Sequence, residues 1–162
     1  PPPPPTGSIK CRAHIYHSGT SGTVLMNGSG TLPLSGTNAD SGGTTLSSGT
    51  LNINSTTALG ATAATFTING SAINNTTAGA ITLANNNPIS DTADFAFGGT
   101  KDLNLGTGAT SLNIASSGTR TITLNGTNST LTLGGTVTAQ TNIAGSGTLT
   151  VTGAGNTHVL GS

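Results

Sequence analysis

Glutamate and tryptophan are absent from this 162-residue chain, glutamine occurs once, at Gln140, and Cys11 is the single cysteine. One cysteine excludes an internal disulfide. Helix formers other than Ala and Leu are nearly missing while Thr and Gly abound, which argues against a helical fold. Charge is equally scarce. Its carriers are Lys10, Arg12, Asp40, Asp91, Asp94, Lys101, Asp102 and Arg120, and residues 41–90 and 121–162 have none. With no basic stripe to follow phosphates and only three Phe and one Tyr to stack on bases, the composition speaks against nucleic-acid binding. No apolar run is long enough to span a bilayer, so no membrane span is expected. The formal net charge is zero, unlike the high net charge usual in disordered chains. No leader is visible before Pro1, as expected of a processed product or a fragment of a longer chain.

What is there is a narrow alphabet. Gly, Thr, Ser and Asn supply 91 of the 162 residues. Residues 1–27 read as a Pro-rich extended segment. It opens on five prolines, a stiff polyproline II stretch, and continues through Cys11, Arg12, His14, Tyr16 and His17. Residues 28–162 carry one recurring local pattern, two apolar residues separated by a polar one. It appears at Leu32/Leu34, Leu51/Ile53, Phe66/Ile68, Ile81/Leu83, Phe95/Phe97, Leu103/Leu105, Leu112/Ile114, Ile122/Leu124, Leu131/Leu133 and Leu149/Val151. Alternation puts each apolar pair on one face of a short strand and Thr or Asn on the other. Gly, Ser, Asn and Thr fill the turns between.

The intervals from the start of one pair to the start of the next are 19, 15, 15, 14, 8, 9, 10, 9 and 18. A sandwich calls for hairpins and longer strands. Near-copy short strands fit an all-β, right-handed parallel β-helix (β-solenoid) in which each turn of chain stacks on the last. The intervals of 8–10 and their doubles predict rungs of about 18–20 residues. Its end rungs are strand edges open to pairing, and residues 121–162 hold no charge to block it. Pro33 removes a ladder donor, which predicts a terminal or edge position for its strand.

Residues 28–53, GSGTLPLSGTNADSGGTTLSSGTLNI, resemble the passenger-associated strand repeat of bacterial autotransporters, G-x-G-T-L-T-L-x-G-x-N-x-Y-x-G-G-T-T followed by G-T-L. Gly30-Thr31-Leu32, Gly36, Asn38, Gly42-Gly43-Thr44-Thr45 and Gly49-Thr50-Leu51 carry the match, and residues 145–156 are a partial second copy. Asp40 stands where the repeat has Tyr, and Pro33 where it has Thr. The resemblance implies a parallel β-helix exported to the surface or exterior of a bacterial cell. It implies no activity, and no membrane-barrel translocator is recognisable in the chain.

Motifs for chemistry are few. No G-x-S-x-G elbow and no phosphate-binding loop occurs. Cys11, His14 and His17, three apart, have a zinc-like spacing, but a fourth ligand and a helical frame are missing, and the plain reading is a polar strand-forming segment. Cys11 is alternatively a thiol for an intermolecular disulfide. Asp91, Asp94 and Asp102 near Gly98-Gly99 suggest calcium, without the repeated Gly-Gly-x-Gly-x-Asp turns of calcium solenoids; turn and capping roles are the alternative. No residue is assigned as catalytic, cofactor-binding or metal-binding, and no enzymatic role or cofactor is expected. Thr-x-Thr recurs at Thr65/Thr67, Thr121/Thr123, Thr130/Thr132, Thr136/Thr138 and Thr148/Thr150, interrupted by Asn52, Asn104 and Asn113. Such ranks resemble the faces of solenoid ice-binding proteins, although Thr is also simply the best polar strand former. Asn-x-Ser/Thr triplets start at Asn27, Asn54, Asn69, Asn74, Asn75, Asn125 and Asn128, as this composition dictates, and bear on a glycosylating host alone.

The functional expectation is an extracellular structural solenoid: a surface stalk, adhesin or self-assembling filament subunit. Its partners would be further copies of itself, end to end, or a surface glycan or receptor. The alternative is an ice- or glycan-binding module.

Overall fold

The computed structural model describes residues 22–114, 118–126, 128–141, 148–153 and 157–160. Every regular element within them is a β-strand, and the sixteen strands fall into three sheets. The first sheet runs β1 (Val24–Met26), β3 (Thr44–Leu46), β5 (Phe66–Ile68), β8 (Ile89–Asp91), β11 (Thr110–Ile114) and β14 (Val137–Thr141). The second runs β2 (Thr31–Leu34), β4 (Thr50–Ile53), β6 (Ala72–Asn74), β9 (Phe95–Phe97), β12 (Thr119–Leu124) and β15 (Thr148–Gly153). The third runs β7 (Ile81–Thr82), β10 (Leu103–Asn104), β13 (Thr130–Leu133) and β16 (Thr157–Leu160). All strand pairings are parallel, and from β6 onward the chain visits the second, third and first sheets in turn.

Register explains the packing. Leu32 pairs with Leu51, Leu51 with Ile73, Ile73 with Phe97 and Phe97 with Leu124, one apolar column through the second sheet. Strand neighbours lie about 4.8 Å apart, so aliphatic and aromatic side chains on this line stay in contact from rung to rung. Leu51, Ile73 and Phe97 are fully buried, as are Leu34, Leu46, Ile53, Phe66, Ile68 and Leu103. Each such burial stabilises by roughly 1.5–3 kcal/mol.

The expected rung length holds only at the start. Thr31 pairs with Thr50 and Val24 with Thr44, close to the expected turn. Later rungs are longer by about one further side: Ala96 pairs with Thr123, and Thr123 with Thr152. The intervals of 8–10 are the sides of a three-sided turn, not of a two-sided one. Before β7 the third side is made by turns, which bury Ala58 and Leu59.

Pro33 sits in β2, the last strand of the second sheet. Thr50 N–H donates to Gly30 O (2.9 Å) and Asn54 N–H to Leu34 O (3.0 Å). Parallel alternation then turns the Pro33 nitrogen to the unpaired side, where its missing N–H leaves no broken bond. Among the described residues, strand pairing is already present at Val24, before the expected repeat start at Gly28. Residues 1–21, with the five prolines, lie outside the described residues.

Candidate functional site

Along the first sheet the inward column Met26–Leu46–Ile68 continues into Asp91 and then Leu112. Asp91 thus occupies an aliphatic position and is 1% exposed. Arg120 arrives from β12, where the inward set is Arg120, Ile122 and Leu124. Its Nε lies 3.6 Å from Asp91 Oδ2. The other two nitrogens are committed elsewhere: Nη1 donates to Asp94 Oδ1 (3.3 Å) and Nη2 to the Asn113 carbonyl (2.6 Å). Neither Asp91 oxygen makes a well-formed hydrogen bond, and Arg120 Nε is likewise unpaired. Burial pushes the Asp91 carboxyl up to about 7, with Asp94 adding to the rise, against the Arg120 guanidinium and the nearby Ala93 backbone N–H.

The three aspartates expected to cluster are therefore divided. Asp91 and Asp94 converge on Arg120, whereas Asp102 Oδ1 accepts the Thr130 N–H (2.7 Å). Among the described residues no three His, Cys, Asp or Glu side chains gather as a metal site would require. Cys11, His14 and His17 lie outside the described residues. Asp102 and Lys101 line an open cleft of about 450 Å³ together with Ala80, Gly99, Thr100 and Asn128. Among the described residues there is no helix long and apolar enough to cross a membrane.

The outward faces are hydroxyl-rich. On the first sheet Thr45, Thr67, Ser90, Ser111 and Thr138 follow one another in register. On the second, β12 and β15 pair along their whole length, setting Thr119 on Thr148, Thr121 on Thr150 and Thr123 on Thr152. The alternate residues of β12 are buried, so Thr119, Thr121 and Thr123 face outward. Parallel-strand geometry spaces such an array by about 4.8 Å across strands and about 6.6 Å along them.

The repeat-like residues 28–53 have structural work. Buried Asn38 donates its amide to Ala58 O (2.5 Å) one rung on. Gly43 has φ +85° and lies so close to the Thr65 backbone that a Cβ would collide with its carbonyl. Asp40, in the place of the repeat's Tyr, is buried, and its backbone carbonyl accepts the Ala61 N–H (2.9 Å). Of the Asn-x-Ser/Thr sites, Asn75 is fully buried, whereas Asn27, Asn69, Asn125 and Asn128 are exposed.

In the sequence Asp91 suggests calcium or a turn and capping role, and Arg120 belongs to no motif. The signal was present: in Thr119–Leu124, alternation with Ile122 and Leu124 already places Arg120 on the inward face. Comparison of the chain with protein-family models, with curated proteins and with solved structures found no match.

Proposed function

We propose that this chain is an extracellular structural β-solenoid, a right-handed coil serving as a stalk, adhesin or filament subunit at or beyond a bacterial cell surface. The observation that carries this reading is the continuous parallel register of all three sheets, ending on β14, β15 and β16. Each of these pairs on one side only among the described residues, and residues 121–162 hold no charge. Uncharged terminal edges lack the usual guard against strand addition. Contact between the last rung of one copy and the first rung of the next is heterologous and non-closing, and yields fibres. The bacterial surface rests on the resemblance of residues 28–53 to the autotransporter repeat. Electron microscopy and sedimentation over a concentration series test the assembly: rods that lengthen with concentration are expected. A species that stays monomeric at high concentration overturns it.

The paired Thr columns of β12 and β15 favour a second reading, an ice-binding face. A sugar-binding face would be expected to offer aromatic platforms, and among the described residues the aromatic side chains, Phe66, Phe95 and Phe97, are all buried. Water ordered on a hydroxyl and methyl lattice therefore suits this face better than a glycan. Thermal hysteresis and ice shaping are the readouts, and no effect at millimolar protein ends this reading.

A further inference from the structure

Among the described residues, Asp91 is an ionisable group set into an aliphatic column. Asp91 lies in register between Ile68 and Leu112, so its neighbours on β5 and β11 bring no charge. The charges acting on it are Arg120 from β12 and Asp94 from the turn after β8. Two carboxylates thus face one guanidinium. Asp94 has a side chain 59% exposed and receives Nη1, and the Thr121 N–H also donates to its Oδ1 (2.8 Å). Asp91 has the 3.6 Å approach of Nε and the nearby Ala93 backbone N–H, neither of them a well-formed hydrogen bond. A solvated carboxylate costs less to keep ionised than a buried one, so Asp91 is the member that holds a proton. The cluster also lies where the rungs lengthen: Ile89 pairs with Thr110 across a short turn, whereas Thr110 pairs with Val137 across a longer one.

We propose that the Asp91–Arg120 contact is a pH-sensitive junction between the shorter and longer rungs, with Asp91 protonated and the rungs tightly stacked in mildly acidic medium, and Asp91 ionised and the rungs loosened in alkaline medium. Ionised Asp91 is a charge without a well-formed hydrogen bond in an apolar column. It must either draw Arg120 away from Asp94 and Asn113 or admit water, and both open the stack between β8 and β11.

Asp91 carboxyl carbon shifts, followed by NMR on the full chain from pH 4 to 9, test this directly, with hydrogen exchange of β8, β11 and β12 amides at pH 5 and 8.5, corrected for intrinsic rate. A midpoint near neutrality is expected, with local opening at least tenfold more frequent at the higher pH. Asp91→Asn should abolish the pH-dependence of opening, which separates it from the titration of His14, His17 and His158. A midpoint below pH 5, or opening unchanged by pH, overturns the proposal. If Asp91→Asn does not fold, the wild-type titration still decides.

Discussion

Asn74 and Thr100 are joined twice across one rung: the Asn74 amide donates to Thr100 Oγ1 (2.8 Å), and Thr100 N–H donates to Asn74 Oδ1 (3.1 Å). Asn54 and Thr76 repeat the same bracket, at 2.8 and 2.9 Å. Asparagine is the side chain that both donates and accepts from one planar group, so it can satisfy a turn amide and a hydroxyl together. Deeper in the corner, fully buried Asn75 donates to both Gly79 O and Asp102 O, at 2.8 Å each.

Burial sets the different costs of breaking these braces. Asn75→Ala removes both amide hydrogen bonds of a fully buried side chain and takes from Thr77 N–H its acceptor, Asn75 Oδ1, although Gly79 O keeps Thr77 Oγ1 and Asp102 O keeps the Ile81 N–H; it should cost about 2–3 kcal/mol. Asn54→Ala breaks an exposed bracket that water can replace and should cost about 1 kcal/mol or less. Urea unfolding of the two variants measures the gap, and equal losses would contradict the corner model.

Glycines divide by room and by backbone angle. Gly43→Ala forces a Cβ onto a left-handed residue and into the Thr65 carbonyl, so a loss of at least about 1–2 kcal/mol is expected. At Gly28 nothing lies within 4 Å of an added Cβ, and Gly28→Ala should be neutral or stabilising by up to about 1 kcal/mol. Thermal melts of the pair read the contrast.

Phe97 fills the fully buried column between Ile73 and Leu124. Phe97→Ala should cost about 3–5 kcal/mol. Leu25, 59% exposed on the outer face of β1, should tolerate Leu25→Thr within about 0.5 kcal/mol. Denaturant midpoints at unchanged slope check both.

Strands with two inward aliphatics, such as Leu51/Ile53 and Phe66/Ile68, were legible because alternation needs only two points to show a face. Strands β3, β6 and β8 were not. In β3 an inward place is taken by buried Thr44, in β8 by Asp91, and β6 has Ile73 alone. A polar residue inside an apolar column looks, in sequence, like the outward half of the pattern. The third side was hidden for another reason: equal intervals of 8–10 reveal the length of a side but not how many sides close a turn. The ionic cluster was hidden by distance along the chain, because Asp91 and Arg120 meet only once rung register is known.

The same register gives the last prediction its sign. The folded-state pKa of Asp91, about 7, lies above its ordinary value of 3.8, so the folded chain binds a proton that the unfolded chain has released between those values. Its contribution to stability is full below pH 3.8 and is lost as pH rises to about 7. Asp91→Leu removes that dependence and continues the aliphatic column from Ile68 to Leu112, while Arg120 keeps Asp94 and the Asn113 carbonyl. At pH 8 the variant should be more stable than the wild type by about 1–4 kcal/mol, and at pH 4 the two should differ far less. Unfolding at both pH values checks this: a variant less stable than wild type at pH 8 would mean that the charged pair holds the rungs together, the reverse of what its unbonded carboxylate indicates.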